Sequence, residues 1–160
     1  MVDNVYLGNP NLKKANTPIQ FSAKQIEEFV KCKNDPVYFA KKYVKIVSLD
    51  EGLVPFQPYK FQEKLIKRFH RERFNICKMP RQTGKSTTVV SYLLHYAVFN
   101  DSVNIGILAN KAATARELLG RLQTAYENLP RWMQQGIIAW NKGSLELENG
   151  SKILAASTSA

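Results

Sequence analysis

Residues 79–87, MPRQTGKST, have the types and spacing needed to hold a chain of phosphates. Gly84 lacks a Cβ atom, so the backbone there can approach a phosphate oxygen closely and adopt a positive φ angle. The ammonium group of Lys85 can reach the β and γ phosphates, and the hydroxyl of Ser86 can ligate a bridging Mg²⁺. The full pattern for such a loop is GxxxxGK followed by Ser or Thr, and Met79 occupies its first position here. Because the match is partial, the elements on either side must decide its meaning.

The flanking segments supply the context that such a loop requires. Residues 74–79 are a short, mostly apolar run, which predicts a buried strand that contains Cys77. Residues 89–99, VVSYLLHYAVF, are apolar on most faces and predict a buried helix. The N-terminus of a helix presents free N–H groups and a favourable dipole to an anion. Strand, loop and helix together predict a phosphate-binding loop, and a capped helix start after a turn is the alternative.

The segment MPRQTGKSTT resembles the deviant Walker A loop of the large terminase subunit of tailed bacteriophages, in particular the T-even-like type. That family typically lacks the first Gly and carries an Arg-Gln pair before x-Gly-Lys-Ser/Thr. The resemblance extends from about residue 6 to residue 157 and includes Trp140 with the Asn-Lys-Gly-Ser that follows it. It implies that Arg81 acts in cis on the γ-phosphate, with Lys85 as the other catalytic residue. The residues alone would favour a solvated loop cation for Arg81.

Two glutamines upstream of the loop could recognise the base of the nucleotide. Gln57 and Gln62 in FQPYKFQ match the terminase arrangement, and a carboxamide can accept from adenine N6 and donate to adenine N7. Asn-Lys pairs at 110–111 and 141–142 lack the Asp of the guanine-reading NKxD motif, which favours ATP over GTP. The implied cofactors are ATP and Mg²⁺, with Ser86 as the metal ligand from the protein. The predicted nucleotide-binding residues are Gln57, Gln62, Gln82, Thr83, Gly84, Lys85, Ser86 and Thr87.

The chain is basic, with a net charge of +10 and a pI near 9.7, which suits a partner such as nucleic acid or polyphosphate. Residues 58–73 predict a helix whose core stripe is Phe61, Leu65 and Phe69. Basic side chains share much of another face of this helix: Lys60, Lys64, Lys67, Arg68 and Arg71. They could follow a DNA backbone or form a solvated face, and both interpretations stay open. Lys111 and Arg116 are weaker candidates for contact with DNA.

The remaining elements follow from capping and turn signals. Ser22 with Gln25 forms a capping box before a helix to about Lys33, and Asp35-Pro36 begins another. Residues 45–56 predict two strands around a turn at Asp50-Glu51-Gly52. Although IVSLDE in this stretch resembles a Walker B motif, it precedes the phosphate loop and ends in a Gly turn, so a hairpin is expected. Residues 103–109 predict a strand, residues 111–129 a helix, and 137–140, 144–148 and 151–157 three further strands.

The predicted fold class is α/β, a partial P-loop NTPase domain of the ASCE or RecA-like kind. It would have a central, mostly parallel sheet flanked by helices and a C-terminal β-hairpin. Residues 1–20 are predicted to be an N-terminal arm or linker, and residues 21–160 the N-terminal part of the ATPase domain. The acidic residues after Ser86 form no Asp-Glu pair at a strand end, and the four Asp of the chain are scattered. The Walker B motif and the nuclease domain of terminases are therefore expected to lie outside this chain.

The resemblance implies the ATP-binding part of a viral motor that couples ATP hydrolysis to translocation of DNA into the prohead. The complete protein would be an ATPase with a nuclease domain, whereas this chain alone is expected to be inactive. Double-stranded DNA, the portal of the prohead, the small terminase subunit and further copies in an oligomer are the implied partners. No membrane contact is expected, since no apolar run approaches the ~20 residues of a bilayer span, and the implied location is the host cytoplasm, at the prohead. The alternatives are the first half of a helicase-like DNA translocase and a non-catalytic nucleotide- or DNA-binding module.

Overall fold

The computed structural model describes residues 4–48 and 50–158. The helices of this part are Ala23–Asn34 (α1), Pro36–Tyr43 (α2), Lys60–Arg71 (α3), Lys85–Phe99 (α4) and Ala112–Glu127 (α5). Its strands are Val5–Tyr6 (β1), Asn9–Lys13 (β2), Lys45–Ser48 (β3), Gly52–Pro55 (β4), Asn104–Ala109 (β5), Ile137–Trp140 (β6), Ser144–Leu147 (β7) and Lys152–Ser157 (β8). Helices and strands are interleaved along the chain, so the prediction of a mixed α/β protein is confirmed.

The larger sheet has the strand order β5-β8-β7-β6. β5 pairs with β8 in parallel, with Ile105 opposite Ile153, whereas the β8–β7 and β7–β6 pairs are antiparallel. The prediction of a mostly parallel central sheet is therefore wrong. The reason lies in the connections at 141–143 and 148–151, which are too short for a crossover and force β6, β7 and β8 to alternate in direction. The predicted C-terminal hairpin is confirmed as β7–β8.

The core lies between this sheet and the helices. α5 packs on β5 and β8, and α4 packs between α5 and α3. The largest fully buried side chains of the helices and of this sheet are Phe39, Ile66, Leu94, Leu119, Leu122, Tyr126, Ile137, Leu145, Leu147 and Ile153. Removal of this apolar surface from water is the main force that holds the helices on the sheet. In the described part of the chain, no helix is long and apolar enough to cross a membrane.

The first two helices begin where their caps predict. The Ser22 hydroxyl accepts from the Gln25 N–H and the Gln25 side chain accepts from the Ser22 N–H, which completes the capping box of α1. The Asp35 carboxylate accepts from the N–H groups of Val37 and Tyr38 at 3.0 and 2.9 Å, with Pro36 as the first residue of α2. Both sequence predictions are confirmed because each cap involves only neighbouring residues.

The strands β3 and β4 form the predicted hairpin. They pair antiparallel, with Ser48 opposite Gly52, and Asp50 and Glu51 occupy the turn between them. Leu49 lies outside the described residues. Because the Asp-Glu pair sits at the tip of a hairpin and not at the end of a parallel strand, it does not occupy a Walker B position.

The predicted strand at residues 74–79 is not formed. The segment has no helix or strand assignment, Phe74 and Ile76 are 82% and 102% exposed, and Cys77 is exposed. A strand needs a hydrogen-bonding neighbour along its length, and β5 pairs only with β8 within the described part of the chain. Apolar composition can indicate a strand but cannot supply its partner, which is why this prediction is wrong.

The buried face of α3 is displaced by one residue from the predicted stripe. Gln62 and Ile66 are buried, Leu65 and Phe69 are half-buried, and Phe61 is 44% exposed. The expected core role of Phe61 is therefore wrong. Its ring lies instead beside that of Tyr59, with the centroids 5.9 Å apart and the rings nearly parallel.

The described part of the predicted N-terminal arm is packed in its first half. β1 and β2 pair with each other, and Lys14 bridges to Ile137 in β6. The Lys13 ammonium is buried and forms an ion pair of 2.8 Å with Glu148. Residues 17–20 carry no helix or strand.

Candidate functional site

The predicted phosphate-binding loop is the turn that precedes α4. Gly84 ends it with φ +71° and ψ +18°, in the left-handed region that glycine adopts without strain. The first helical hydrogen bond joins the Thr88 N–H to the Gly84 carbonyl at 3.0 Å. Lys85, Ser86 and Thr87 are the first residues of α4, so their N–H groups have no acceptor within the helix. No side chain in the described structure caps this helix end either. Three donors and the positive end of the helix dipole are therefore available to an anion.

Lys85 turns its side chain back over this loop. Its Nζ atom donates to the Pro80 carbonyl oxygen at 3.3 Å, and the Thr83 hydroxyl donates to the same oxygen at 3.0 Å. An ammonium group has three donors, so the contact with Pro80 leaves capacity for a ligand. The lysine ammonium is thus held beside the Pro80 end of the loop that precedes α4.

Gln62 of α3 holds the loop against the rest of the protein. Its side chain is 3% exposed, and its Nε2 atom donates to the Thr83 and Gly84 carbonyl oxygens, each at a long 3.4 Å. Its Oε1 atom accepts from the Tyr59 N–H at 2.8 Å. Both ends of the carboxamide are engaged, so in this structure Gln62 is not free for the adenine pairing that the sequence predicted. Its contacts instead join the start of α3 to the loop before α4.

The close approach of Gln62 explains why the loop ends in glycine. A Cβ atom added to Gly84 would lie 2.5 Å from Nε2 of Gln62, well inside van der Waals contact. The positive φ angle of Gly84 would strain any other residue as well. The backbone conformation therefore favours glycine here, and the Gln62 side chain would have to shift to admit a Cβ atom.

Thr88 is a site residue that sequence analysis missed. It is fully buried, and its hydroxyl donates to the Gly84 carbonyl at 2.9 Å. That carbonyl thus accepts from the N–H and hydroxyl of Thr88 and from Gln62. The second Thr of GKSTT is the only sequence signal for this contact, and it does not distinguish an inward hydroxyl from a solvated one.

A cleft of about 500 Å³ lies beside the loop, between α3, the β3–β4 hairpin and the start of α4. This volume is within the range of small-molecule sites. The stacked rings of Tyr59 and Phe61 form part of its wall. It brings together six of the predicted nucleotide-binding residues: Gln57, Gln62, Gln82, Thr83, Gly84 and Thr87. Lys85, Ser86 and Arg81 do not line this cleft and lie along the loop and helix start next to it.

Arg81 and Ser86 both have free functional groups. Arg81 is exposed in the loop, and its guanidinium contacts no acidic side chain in the described part of the chain. Ser86 is half-buried as the second residue of α4, and its hydroxyl has no hydrogen-bond partner among the described residues. Gln82, between them, has φ +61°, so the backbone turns sharply within the loop.

Acidic side chains of the described residues do not contribute to this site. Residues 4–48 and 50–158 contain no group of three or more His, Cys, Asp or Glu side chains that could hold a metal ion. Asp50 and Glu51 are absent from the residues that line the cleft. A metal bound here would therefore depend on the Ser86 hydroxyl and on oxygens that a ligand supplies.

The predicted basic face of α3 is solvent-accessible. Lys60, Lys64, Lys67, Arg68 and Arg71 are all exposed. Among the described residues, only Arg71 of this set has an acidic partner, Glu72 at 2.6 Å. Gln62, which contacts the phosphate loop, belongs to the same helix. The other basic candidates, Lys111 and Arg116, are exposed at the start of α5 and do not line the cleft.

Comparison with known proteins identifies a matching family and a solved structure of similar fold. The model of the N-terminal part of terminase large subunits of the T4-like virus type matches residues 76–160, more than half of the chain. The crystal structure of the HK97 bacteriophage large terminase is similar, with a TM-score of 0.64 and 15% sequence identity. That alignment covers 80% of this chain and 28% of the HK97 chain, so the present chain spans little more than a quarter of its length. At this identity the likeness concerns the fold alone.

Proposed function

Because the chain belongs to the family of T4-like terminase large subunits, as part of their N-terminal region, we propose that it is the ATP-binding part of a DNA-packaging motor. The observation that carries the proposal is the assembly at the start of α4. Backbone N–H groups, the Lys85 ammonium and a cleft of nucleotide size meet at one loop that Gln62 holds in place. This combination suits a triphosphate attached to a planar base. The fold would then be part of a P-loop ATPase domain.

Different residues of the loop would bind different phosphates of the triphosphate. Lys85 and the N–H groups of Ser86 and Thr87 would bind the β and γ phosphates, and Arg81 would meet the γ-phosphate. Gln82, Thr83 and Gly84 would enclose the chain of phosphates from the cleft side. The Ser86 hydroxyl would hold Mg²⁺, which neutralises phosphate charge when it is bound.

The base would lie in the cleft, against the aromatic wall of Tyr59 and Phe61. Gln57 is exposed and borders the same cleft, so its carboxamide is free to pair with adenine. Gln62 would act as a positioning residue, because its own carboxamide already holds the loop. The absence of an NKxD motif favours ATP over GTP.

The working motor would require more than this chain. No acidic side chain of the described residues lines the cleft, whereas hydrolysis needs a carboxylate to orient the attacking water and another to hold the metal. We therefore propose that residues 1–160 alone bind nucleotide without turning it over. In the complete protein, ATP hydrolysis would drive double-stranded DNA into the prohead in the host cytoplasm. The portal, the small terminase subunit and further copies of the motor subunit would be its partners. The family match disfavours the helicase-like alternative.

Nucleotide binding is tested by titration calorimetry of ATP with Mg²⁺ into the wild-type chain, Lys85→Ala and Lys78→Ala. Lys78 is an exposed lysine seven residues away and serves as the matched control. Loss of the Lys85 ammonium is expected to weaken ATP binding at least about tenfold, by removal of a charge-assisted phosphate contact. Lys78→Ala should bind like wild type. Equal affinities for all three proteins would refute the site.

Turnover is tested by phosphate release from the pure protein. We expect no release above the buffer rate. Release by the wild-type chain that Lys85→Ala abolishes would contradict the non-catalytic proposal.

The interaction with DNA is tested by the salt dependence of duplex binding. The triple variant Lys60→Glu, Lys64→Glu, Lys67→Glu should make the negative slope of log K against log salt shallower, by about 0.9 for each phosphate that the protein no longer neutralises. The triple variant Lys24→Glu, Lys31→Glu, Lys33→Glu places the same charge change on exposed positions of α1 and is the control. An equal change of slope in both variants would mean that α3 has no specific role.

A further inference from the structure

The strand β5 lies at one edge of the large sheet, and its outer side pairs with no other strand in residues 4–48 and 50–158. The N–H groups of Lys152 and Thr158 donate to the carbonyl oxygens of Val103 and Ala109 at 2.8 and 2.9 Å. Since alternate residues of a strand direct their backbone groups to the same side, the odd-numbered residues of β5 face β8. The N–H and C=O groups that point outward are those of the even-numbered residues, Asn104, Gly106 and Leu108.

This edge lacks the features that natural proteins use to prevent unwanted strand pairing, which are charged side chains, proline, bulges and short length. Its outward positions carry Asn, Gly and Leu, and β5 is 6 residues long with an unbroken register to β8. Leu108 is 64% exposed. An edge of this kind is a template for a further strand, and it favours aggregation where it stays uncovered.

The helix α4 presents an uncovered apolar stripe beside this edge. The stripe follows the i, i+3, i+4, i+7 spacing of one helix face and consists of Val89, Tyr92, Leu93 and Tyr96. Together with Asn104 and Ile105 at the start of β5, it lines a groove of about 610 Å³. Val89 and Tyr96 are both more than a third exposed. The helical layer that would cover a strand added beside β5 is therefore already in place.

The unpaired segment at residues 74–79 borders the same groove through Asn75. The backbone of this segment makes no hydrogen bond with the rest of the described chain, and the side chains of Phe74 and Ile76 are exposed. Extended polypeptide placed in the groove can hydrogen-bond to β5 on one side and cover this segment on the other. Edge, stripe and segment therefore share one unfilled space.

We propose that polypeptide outside residues 1–160 of the full-length protein docks in this groove and adds to the sheet as a strand beside β5. Only a polypeptide offers alternating N–H and C=O groups that match those of the edge. A second copy paired antiparallel through β5 would bring its own α5 to the face of the sheet where α4 already lies. The alignment with the HK97 terminase leaves most of that longer chain unmatched, so a family member of that length has polypeptide available for this strand.

The native cysteines report whether the groove is filled. Cys77 is exposed in the segment at 74–79, whereas Cys32 is fully buried and burial raises the pKa of its thiol to about 12. In the 160-residue chain, N-ethylmaleimide should modify Cys77 as fast as an unhindered thiol and leave Cys32 unmodified. In the full-length protein, Cys77 should react at least about tenfold more slowly, because the docked strand covers it. Mass mapping of the two cysteine peptides gives the rates.

Amide hydrogen exchange tests the strand pairing itself. The amides of Gly106 and Leu108 should exchange rapidly in the 160-residue chain and become protected in the full-length protein, because the added strand accepts their hydrogen bonds. The amides of Ile105 and Ile107 face β8 and should be protected in both proteins. They are the internal control for the stability of β5.

The variant Gly106→Pro removes one outward N–H group and leaves the bonds to β8 in place. A Cβ atom at Gly106 would meet nothing within 4 Å, so the 160-residue variant should keep a thermal midpoint near that of wild type. In the full-length protein the same variant should make Cys77 react several-fold faster, because the docked strand is loosened. Gly106→Ala keeps the N–H group and should leave Cys77 as protected as in wild type.

The proposal is overturned if Cys77 reacts equally fast in both proteins, or if Gly106 and Leu108 stay unprotected in the full-length protein. Protection in the 160-residue chain that rises with protein concentration would assign the groove to a second copy and overturn it as well. If Gly106→Pro does not fold, the exchange of the wild-type amides decides. None of these measurements requires ATP, so they are independent of the proposed nucleotide site.

Discussion

Gly84 illustrates how backbone conformation and packing act on a single residue. Its φ angle of +71° is matched by Gly52, at the start of β4, with φ +73°. A Cβ atom at Gly52 would meet nothing within 4 Å, whereas one at Gly84 would lie 2.5 Å from the Gln62 amide nitrogen. The two glycines therefore share the conformational constraint, and only Gly84 has the steric one.

Alanine substitutions at Gly52 and Gly84 separate the conformational from the steric contribution to the free energy of unfolding. Gly52→Ala should cost about 1–2 kcal/mol, the penalty of a left-handed conformation for an L-residue. Gly84→Ala should cost at least about 1 kcal/mol more, since Gln62 must also move and give up its hydrogen bonds to the loop. Urea unfolding of both variants gives the difference. Equal losses would mean that Gln62 does not approach Gly84 closely.

The variant Gln62→Glu tests whether Gln62 holds the loop before α4 in place. The new carboxylate can still accept from the Tyr59 N–H, but it faces the Thr83 and Gly84 carbonyls with no proton to donate. We expect unfolding to become easier by about 2 kcal/mol or more, and ATP and GTP to bind more weakly by similar factors.

The matched control for this variant is Gln57→Glu, at the exposed glutamine of the same cleft. It should leave stability unchanged and alter only the preference for ATP over GTP. If Gln62→Glu instead kept full stability and lost only that preference, Gln62 would be the residue that recognises adenine.

At the scale of elements, residues 74–79 show the difference between composition and packing. Ile76 in this segment is fully exposed, whereas Ile66 in α3 is fully buried. Ile66→Ala should therefore cost about 2–5 kcal/mol of unfolding free energy, through lost burial and the cavity left behind. Ile76→Ala should change stability by less than about 0.5 kcal/mol. A large loss for Ile76→Ala in thermal or urea unfolding would show that this segment packs in a core.

The β1–β2 hairpin is held to the large sheet by a buried ion pair. Burial opposes ionisation of Glu148, but the Lys13 ammonium and the backbone of Gly136 and Asn16 outweigh it and hold the pKa of Glu148 below its usual value. A carboxyl group with a lowered pKa stabilises the fold above its ordinary pKa, and this contribution is lost as the pH falls through the lowered one.

Substitution of Lys13 should show how much an unpaired Glu148 carboxylate lowers the free energy of unfolding. Lys13→Met leaves a partly buried carboxylate without its cation and should cost about 3 kcal/mol at pH 7. Lys14→Met, at the exposed neighbouring position, should cost less than about 0.5 kcal/mol. Urea unfolding at pH 7 compares them. Similar values for the two variants would mean that the hairpin is not held by this pair.

At the scale of the whole molecule, His95 links stability to pH. It lies in α4 among Phe39, Tyr92 and Phe99, and its Nε2 atom is 2.9 Å from the Cys32 carbonyl oxygen. Burial lowers the pKa of His95 to about 4, although the Cys32 carbonyl opposes this shift. The folded protein therefore keeps this imidazole neutral over a range in which the unfolded chain takes up a proton.

The sign of the effect follows from linkage. Below the unfolded pKa of 6.5 the unfolded state binds more protons than the native state, so stability falls as the pH drops from 6.5 towards 4. The contribution of His95 over that window is about 3 kcal/mol. In urea unfolding between pH 8 and pH 4, His95→Gln should lose less stability than wild type by this amount. Equal curves for the wild type and His95→Gln would contradict the assignment.

The sequence by itself determined the features that depend on neighbouring residues. The caps of α1 and α2, the β3–β4 hairpin, the three C-terminal strands and the glycine turn before α4 all lie where the sequence predicted them. Each depends on hydrogen bonds or φ angles within a few residues, so the residue types carry the information. The family resemblance rested on motifs distributed from about residue 6 to residue 157.

Only the tertiary structure decided how distant segments meet. The mixed direction of the large sheet, the unpaired segment at 74–79 and the exposure of Phe61 all depend on partners far away in the chain. The same holds for Gln62, whose spacing indicated base recognition but whose carboxamide is occupied by a loop 21 residues further on. Hydrogen bonds saturate, so a side chain already committed to one partner is withdrawn from another. Which hydrogen-bond partner a side chain takes depends on its neighbours in three dimensions, and a local sequence pattern does not predict those neighbours.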